Sequence, residues 1–466
     1  MLHVLLACSA PIDEPAAVEP AEDTAAPDDV FENTLTEDGV HLAPAIVATV
    51  VNVTWSTAEP SRARVTATFL DGAVVVEEAA EGTDHAVQLV GLPPLTEVNV
   101  HVEALTADGS GGSDRAVITT GASPAWVPDL HWSAEAPDEA EPGFTLASIL
   151  LMNGAGVVAL DSRGRAVWAW PVEDSPPAPP VYRARLSLDR KAILYNYPAG
   201  RIADVGIIYR VALDGSTVEE SGVTEGHIDF VEYTPGGYAS FGWDLREIDG
   251  RKLMGDTLVE RAPDGTERVV WNAWDHFSPD LSRTYEGYYP DDPEVEDWSH
   301  INGLSYDATD DAYYLTMSYQ STVVKIDRQS GEQLWSLTDG GEGDFANPHG
   351  DEFLEFPHSV QAVEGGVLVF NRDHEDLEHG CSFANEIVLD ELAWEASLGW
   401  RYSPEECLLI PYLGGAERLP GGNTLLSWTN AGQLDEVTPE GTSAWRVNTS
   451  FGAAVGFTTR VATLTP

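Results

Sequence analysis

The sequence predicts an all-β protein: a small N-terminal β-sandwich followed by a six-bladed β-propeller. Three observations carry this expectation. From 41 to 122 the chain alternates Val and Thr with polar residues and is broken by Gly, Pro and Asp, as in VATVVNVTWSTAEP and ARVTATFLDGAVVVEE; such runs form short strands joined by turns. From 146 to 466 a strand, a tight turn and a second strand recur six times, usually ending in Trp, as in GVVALDSRGRAVWAW and VVKIDRQSGEQLWSL. Asp161, Asp214, Asp264, Asp327, Asp390 and Glu440 mark these turns, at steps of 50 to 63 residues, which suits one four-stranded blade per step. A second hairpin, turned on Gly-Gly, precedes some markers, as in FVEYTPGGYASF, SVQAVEGGVLVF and AERLPGGNTLLSW. Its first strand is the one expected to line the central channel.

The segments before these two domains read differently. Residues 1–8, MLHVLLAC, end a short apolar run on Cys8 and resemble the lipobox of bacterial lipoproteins. The run is shorter than the usual ~7–15 residues and lacks a basic start, so the alternative is a chance cysteine. Residues 9–40 are rich in Ala, Pro, Glu and Asp. They have too few large apolar residues to bury a core and are expected to act as a tether. No later run is long and apolar enough to span a membrane. Together these features place the protein outside the cytoplasm, lipid-anchored to a bacterial envelope, in the periplasm or at the cell surface.

Within 41–122, VQLVGLPPLTEVNVHVEALTADGSGGSDRAVITTG resembles the second half of a fibronectin type III domain, with Leu92, Pro94 and Thr96 in order and Val98 where an aromatic is usual. Residues 123–145, rich in Pro and acid, form a linker or strap. The 77 acidic residues against 24 basic ones give a formal charge of −53. Nucleic acid is excluded as a partner, because phosphate binding needs clustered Lys and Arg. An anionic substrate needs a local cationic pocket against that field. Cys381 and Cys407 either pair in an oxidising compartment or stay as two buried thiols.

Three histidines stand just before expected channel-lining strands: His227 in GHIDFVEYTPGG, His300 in WSHINGLSYD and His358 in FPHSVQAVEGG. Convergence of such points on one channel mouth would make a site. The plain alternative is that each caps a strand or bonds a neighbouring blade.

WSHINGLSYDATDDAYYLTMSYQSTVVKIDRQSGEQLW, FPHSVQAVEGGVLVF and ERLPGGNTLLSW together resemble the bacterial arylsulfate sulfotransferases. The resemblance covers most of the chain from about residue 41. It implies a β-sandwich joined to a six-bladed propeller, no metal and no cofactor. It also implies sulfuryl transfer from a phenolic sulfate ester to a phenol through a sulfohistidine. Residue by residue, His358 takes the place of the nucleophile, and His300 and His227 match site histidines. Three positions depart from the pattern. Ser318 stands where the family has an arginine, Ser359 follows His358 where Asp is usual, and Asn371-Arg372 replace an Asp-Asn pair.

The chemistry explains why these positions matter. A neutral imidazole is a competent nucleophile, and a second can protonate the leaving phenolate and deprotonate the acceptor. Sulfuryl oxygens call for fixed positive charge, which an arginine fork supplies and a serine does not. Arg372 is the candidate substitute, with Ser318 contributing one hydrogen bond. The run HEDLEH after it fits no standard metal spacing, and DATDD and DDPEVED lack EF-hand order, so all three read as solvated turns. The competing function is a catalytically weakened or inactive propeller lipoprotein that binds a small ligand or a protein partner. A quinone-dependent dehydrogenase propeller is more distant, since its repeat motif and vicinal cysteines are missing.

Overall fold

The computed structural model describes residues 35–36, 38–107, 111–151, 154–172, 181–282, 284–286, 292–338, 343–373, 380–450 and 453–465. Cys8, most of the 9–40 tether and the HEDLEH run at 374–379 lie outside them. Nearly all regular structure is β; the one α-helix among the described residues is a single turn, Ala273–His276. No described helix is long and apolar enough to cross a membrane.

Residues 41–119 form one hydrogen-bonded sheet of five strands. Its centre is the long strand Val51–Phe69, which pairs with His41–Pro44, Gly72–Leu89 and Glu97–Thr106. Val51, Val53, Trp55, Ala63, Val65 and Ala67 alternate inward, as the period of two requires. The pairing slips between Ser56 and Ser61. There the buried His85 bonds Ser61 (3.2 Å) and Glu78 (2.7 Å) and stacks on Trp55, so both ring nitrogens of His85 are satisfied at the bulge.

Six sheets follow, each built on an antiparallel run of four strands; the sheet of His227–Thr234 also gains Tyr285–Glu286 and Val295–Asp297, the latter pairing in parallel. All six marker turns fall between the third and fourth strand of one of them. The last strand of the chain, Ala454–Val461, pairs with Phe144–Leu151, so the two ends of this region share a sheet. The linker is a strap: its Leu130–Ser133 adds a fifth strand beside Ser443–Thr449. First strands pack in order, from His227–Thr234 to Ile301–Asp307, Ser359–Val363, Gly415–Arg418, Ala454–Val461 and Ala184–Leu186; Ala192–Tyr197 then returns to His227–Thr234 and closes a propeller-like ring. Packing is tight where these strands meet. A methyl on Gly303 would lie 2.6 Å from the Cα of Ser359, which is why glycine stands there.

Charged side chains staple the ring from within. Arg183 grips the fully buried Asp229 with two hydrogen bonds, at 2.9 and 2.7 Å, and Asp229 also accepts the Leu304 N–H at 3.1 Å. Arg185 reaches the carbonyls of Phe230 and Leu304. Three consecutive sheets thus meet on one carboxylate. Replacing it strands two buried guanidinium groups, so Asp229→Ala is expected to lower the unfolding free energy by about 3–5 kcal/mol, read from urea denaturation.

Glu417, on the strand Gly415–Arg418, faces the same interior. Its carboxylate accepts the Arg460 N–H at 2.9 Å. Burial pushes this carboxyl up to about 7, against the pull of the Arg460 N–H and of Arg183, Arg185 and Arg460. The folded protein then keeps a proton that the unfolded chain releases near pH ~4.3. Stability from this group therefore falls as pH rises from about 4.3 to about 7 and is level above that. Glu417→Gln is expected to be more stable than the wild type by on the order of 2 kcal/mol at about pH 8 and equal to it near pH ~4, in paired urea melts.

Candidate active site

The site is assembled at two neighbouring sheets, by the turns that lead into Ile301–Asp307 and Ser359–Val363 and the strand ends beside them. Several such turns hold a non-glycine residue in the left-handed region: Ile228 (φ 55°), His300 (φ 46°), Phe356 (φ 44°) and Leu413 (φ 55°). Such residues are strained and persist only where their surroundings hold them.

Phe356 is the hub. Its ring lies 5.5 Å from the His358 ring, 6.4 Å from His300 and 5.0 Å from Tyr319, centroid to centroid, and the Arg372 guanidinium carbon sits 3.8 Å over it. His300 packs on Tyr319 at 4.8 Å. The loop before His358 is stitched to the strand Gly366–Arg372. Asn371 accepts the Glu355 N–H, the Arg372 N–H bonds the Glu355 carbonyl, and the His358 N–H bonds the Phe370 carbonyl at 2.8 Å. Asn371-Arg372 therefore set where Phe356 and His358 stand.

His358 is 2 % exposed, and among the described residues neither ring nitrogen has a hydrogen-bond partner. Burial, then the charges of Arg372 and His300, hold its pKa well below the usual imidazole value. The ring is neutral at pH 7 and has a lone pair with no prior engagement. Arg372 is 8 % exposed, and among the described residues its buried Nε has no hydrogen-bond partner. Burial lowers its pKa, and Tyr319 and Glu355 pull it back up. A buried guanidinium over an aromatic face beside a neutral imidazole is a receptor for an anion next to a nucleophile.

His300 is partnered differently. Its Nδ1 lies 2.6 Å from Asp297 Oδ2, and its N–H donates to Asp297 Oδ1 at 3.1 Å. Asp297 had no place in the sequence reading, although a carboxylate three residues before a site histidine was a usable signal. Phe356 and Tyr319 gave no such signal.

Two expectations change. The histidines do not occupy one common point of their sheets: His227 stands one residue before the left-handed position, His300 on it and His358 two residues after it. Side-chain direction turns with each residue, so only His300 and His358 meet at Phe356. His227 instead contacts Glu225 O (3.0 Å), Asp256 Oδ1 (3.1 Å) and the Trp243 ring. Ser318 is fully buried, and its hydroxyl is used in both directions: it donates to Pro357 O at 2.5 Å and accepts from Asn302 Nδ2 at 2.6 Å. It braces the residue before His358 and has no donor left for a ligand.

Cys381 and Cys407 form a disulfide. It pins the start of the strand opposite Arg372, since Arg372 pairs with Ser382. In the two acidic turns, Asp310 pairs with Lys325 (2.7 Å) and Asp311 with Arg328 (2.5 Å), while Lys252 pairs with Asp292 (2.7 Å). Among the described residues no three His, Cys, Asp or Glu side chains are placed to hold a metal ion.

Residues 220–361 match the model of the arylsulfotransferase (ASST) family. The stretch contains His227, His300, Ser318 and His358 and stops short of Arg372. No curated protein matches the chain. Solved structures that resemble it include a protein of unknown function from Bacteroides caccae (13 % identity, 69 % of this chain and 99 % of that one, TM-score 0.40). A streptogramin B lyase (14 %, 69 % and 88 %, TM-score 0.35) and a luciferin-regenerating enzyme (12 %, 71 % and 92 %, TM-score 0.36) are similarly distant.

Proposed function

We propose that the protein is an arylsulfotransferase-like enzyme, a six-bladed propeller behind an N-terminal sandwich, that moves a sulfuryl group from a phenolic sulfate ester to a phenol. The observation that carries this reading is the neutral imidazole of His358, without a hydrogen-bond partner among the described residues and packed against Phe356, over which the buried Arg372 lies. The match of residues 220–361 to the arylsulfotransferase family supports it.

A nitrogen of His358 attacks sulfur, and the sulfur–oxygen bond to the aryl group breaks. Imidazolium at His300 gives its proton to the departing phenolate oxygen. The acceptor phenol then returns a proton to His300 and attacks sulfur, and the sulfur–nitrogen bond to His358 breaks. Arg372 holds the sulfuryl oxygens through both halves, in place of the arginine that Ser318 replaces. His227 serves from behind, through Asp256. No cofactor takes part. The disulfide supports export to an oxidising compartment, in keeping with lipidation at Cys8 and attachment to the bacterial envelope.

The deciding experiment is release of p-nitrophenol from p-nitrophenyl sulfate, with and without added phenol. Release that rises with phenol, with phenyl sulfate as product, is the expected result. No phenol-dependent release from a panel of aryl sulfates would remove the reading.

A further inference from the structure

We infer that Asp297 is a positioning residue that keeps the proton of His300 on Nδ1 and so leaves Nε2 as the nitrogen that exchanges protons with the phenols. The inference deepens the reading of His300 as proton carrier and rests on it.

Asp297 holds His300 at two points, accepting the backbone N–H at 3.1 Å with one oxygen and facing Nδ1 at 2.6 Å with the other. A carboxylate only accepts, so the hydrogen between them belongs to Nδ1. Asp297 is itself anchored. It is 2 % exposed and ends the strand Val295–Asp297, which runs parallel to Lys252–Met254 of the preceding sheet. Burial pushes its carboxyl up, and His300 opposes this through its charge and its two hydrogen bonds.

The turn around His300 is fixed from a second side. Asp256 Oδ2 accepts from the Ser299 hydroxyl at 2.6 Å and the Ile301 N–H at 2.9 Å, and the Asp256 N–H donates to Ser299 Oγ at 2.9 Å. Its other oxygen meets His227 Nε2. Thus the residues on either side of His300 hang on one carboxylate and His300 itself on another. That is how a histidine is kept at φ 46°. His227, outside the Phe356 cluster, acts on His300 through this brace.

The contrast with His358 assigns the roles. Among the described residues no carboxylate bonds either nitrogen of His358, so none of them stabilises an imidazolium there, and a free lone pair suits attack on sulfur. His300 has one, so it can carry a proton between leaving group and acceptor. Among the described residues, the charged or titratable groups around the His300 ring include Asp297 on its own turn, Asp256 on the preceding sheet, Tyr319 beneath it, and His358 and Arg372 across Phe356.

Asp297→Asn tests this directly. The asparagine oxygen can still take the backbone N–H of His300. Its amide group then faces Nδ1 as a donor, which moves the ring hydrogen to Nε2. Side-chain ¹⁵N NMR of histidine-labelled protein, with His300 assigned by its loss in His300→Gln, reads the tautomer without any turnover. The expected result is Nδ1–H in the wild type and Nε2–H in Asp297→Asn. In the same variant kcat should fall by about 10²–10⁴-fold, with KM nearly unchanged and the His300 limb missing from the pH profile. Hydrogen on Nε2 with Nδ1 bare, in the neutral wild-type ring above its titration, overturns the inference, and that measurement needs no variant to fold. An inverted tautomer with kcat within about threefold of wild type also overturns it. A wild type without sulfuryl transfer removes the preceding reading instead, and the tautomer pair still decides whether Asp297 sets His300.

Discussion

His358→Ala is expected to lose phenol-dependent turnover of p-nitrophenyl sulfate by at least about 10⁴-fold, because removal of a covalent nucleophile leaves only binding and charge stabilisation. The substitution removes a ring that makes no hydrogen bond, so no polar partner is left unsatisfied. Its structural effect is a cavity beside Phe356, and the unfolding transition should drop by only about 1–3 kcal/mol. The two readouts therefore separate. A wild type quenched in acid-free conditions after mixing with donor alone should carry a sulfuryl group on the peptide that spans His358, and the variant should carry none. If His358→Ala retains turnover within about tenfold of wild type, attack on sulfur belongs to water or to the acceptor phenol and not to this histidine.

Much of the ring was legible in the sequence because each sheet repeats one piece of local chemistry. The acidic turn residues fall between third and fourth strands in all six sheets. That turn is set by local backbone preferences, so it survives as a readable mark. His300 and His358 were legible for a related reason: they sit in the turns that lead into first strands. Their different roles were not. Those depend on Asp297 reaching forward three residues to His300, and on no described residue hydrogen-bonding the His358 ring, and both are facts of side-chain placement. His227 shows the limit most clearly. It leads its strand as the others do, but the left-handed residue there is Ile228. With His227 paired to Phe241 and the register broken before Phe230, its ring turns to Asp256 and Trp243. One residue of offset decides between a site and a brace, and a single sequence does not resolve one residue of offset. Phe356, the contact common to His300, Tyr319, His358 and Arg372, has no mark at all beyond an aromatic two residues before a histidine.

The second large effect lies in where the cationic charge of the site comes from. Arg372→Ala is expected to cut kcat by about 10²–10³-fold, the usual loss for one preorganised donor. Arg372→Lys should recover little of it, because an ammonium lacks the planar fork and stacks poorly on Phe356. The sharper experiment restores the family's arginine at its own position. Ser318 is fully buried and ties Asn302 to the Pro357 carbonyl. An arginine there would be forced into a fully buried position, and it leaves the Asn302 amide without its acceptor. Ser318→Arg should therefore lose more than about 3 kcal/mol of stability. In the Arg372→Ala background it should restore no turnover. That outcome would mean the two positions are alternatives: a serine at 318 lets the turn before His358 close, and the closed turn places Phe356 as a shelf for Arg372. If Ser318→Arg instead folds and rescues Arg372→Ala, the pocket still accepts its charge from the sheet that carries Ile301–Asp307, and Arg372 is a stacking residue with no part in holding the sulfuryl group.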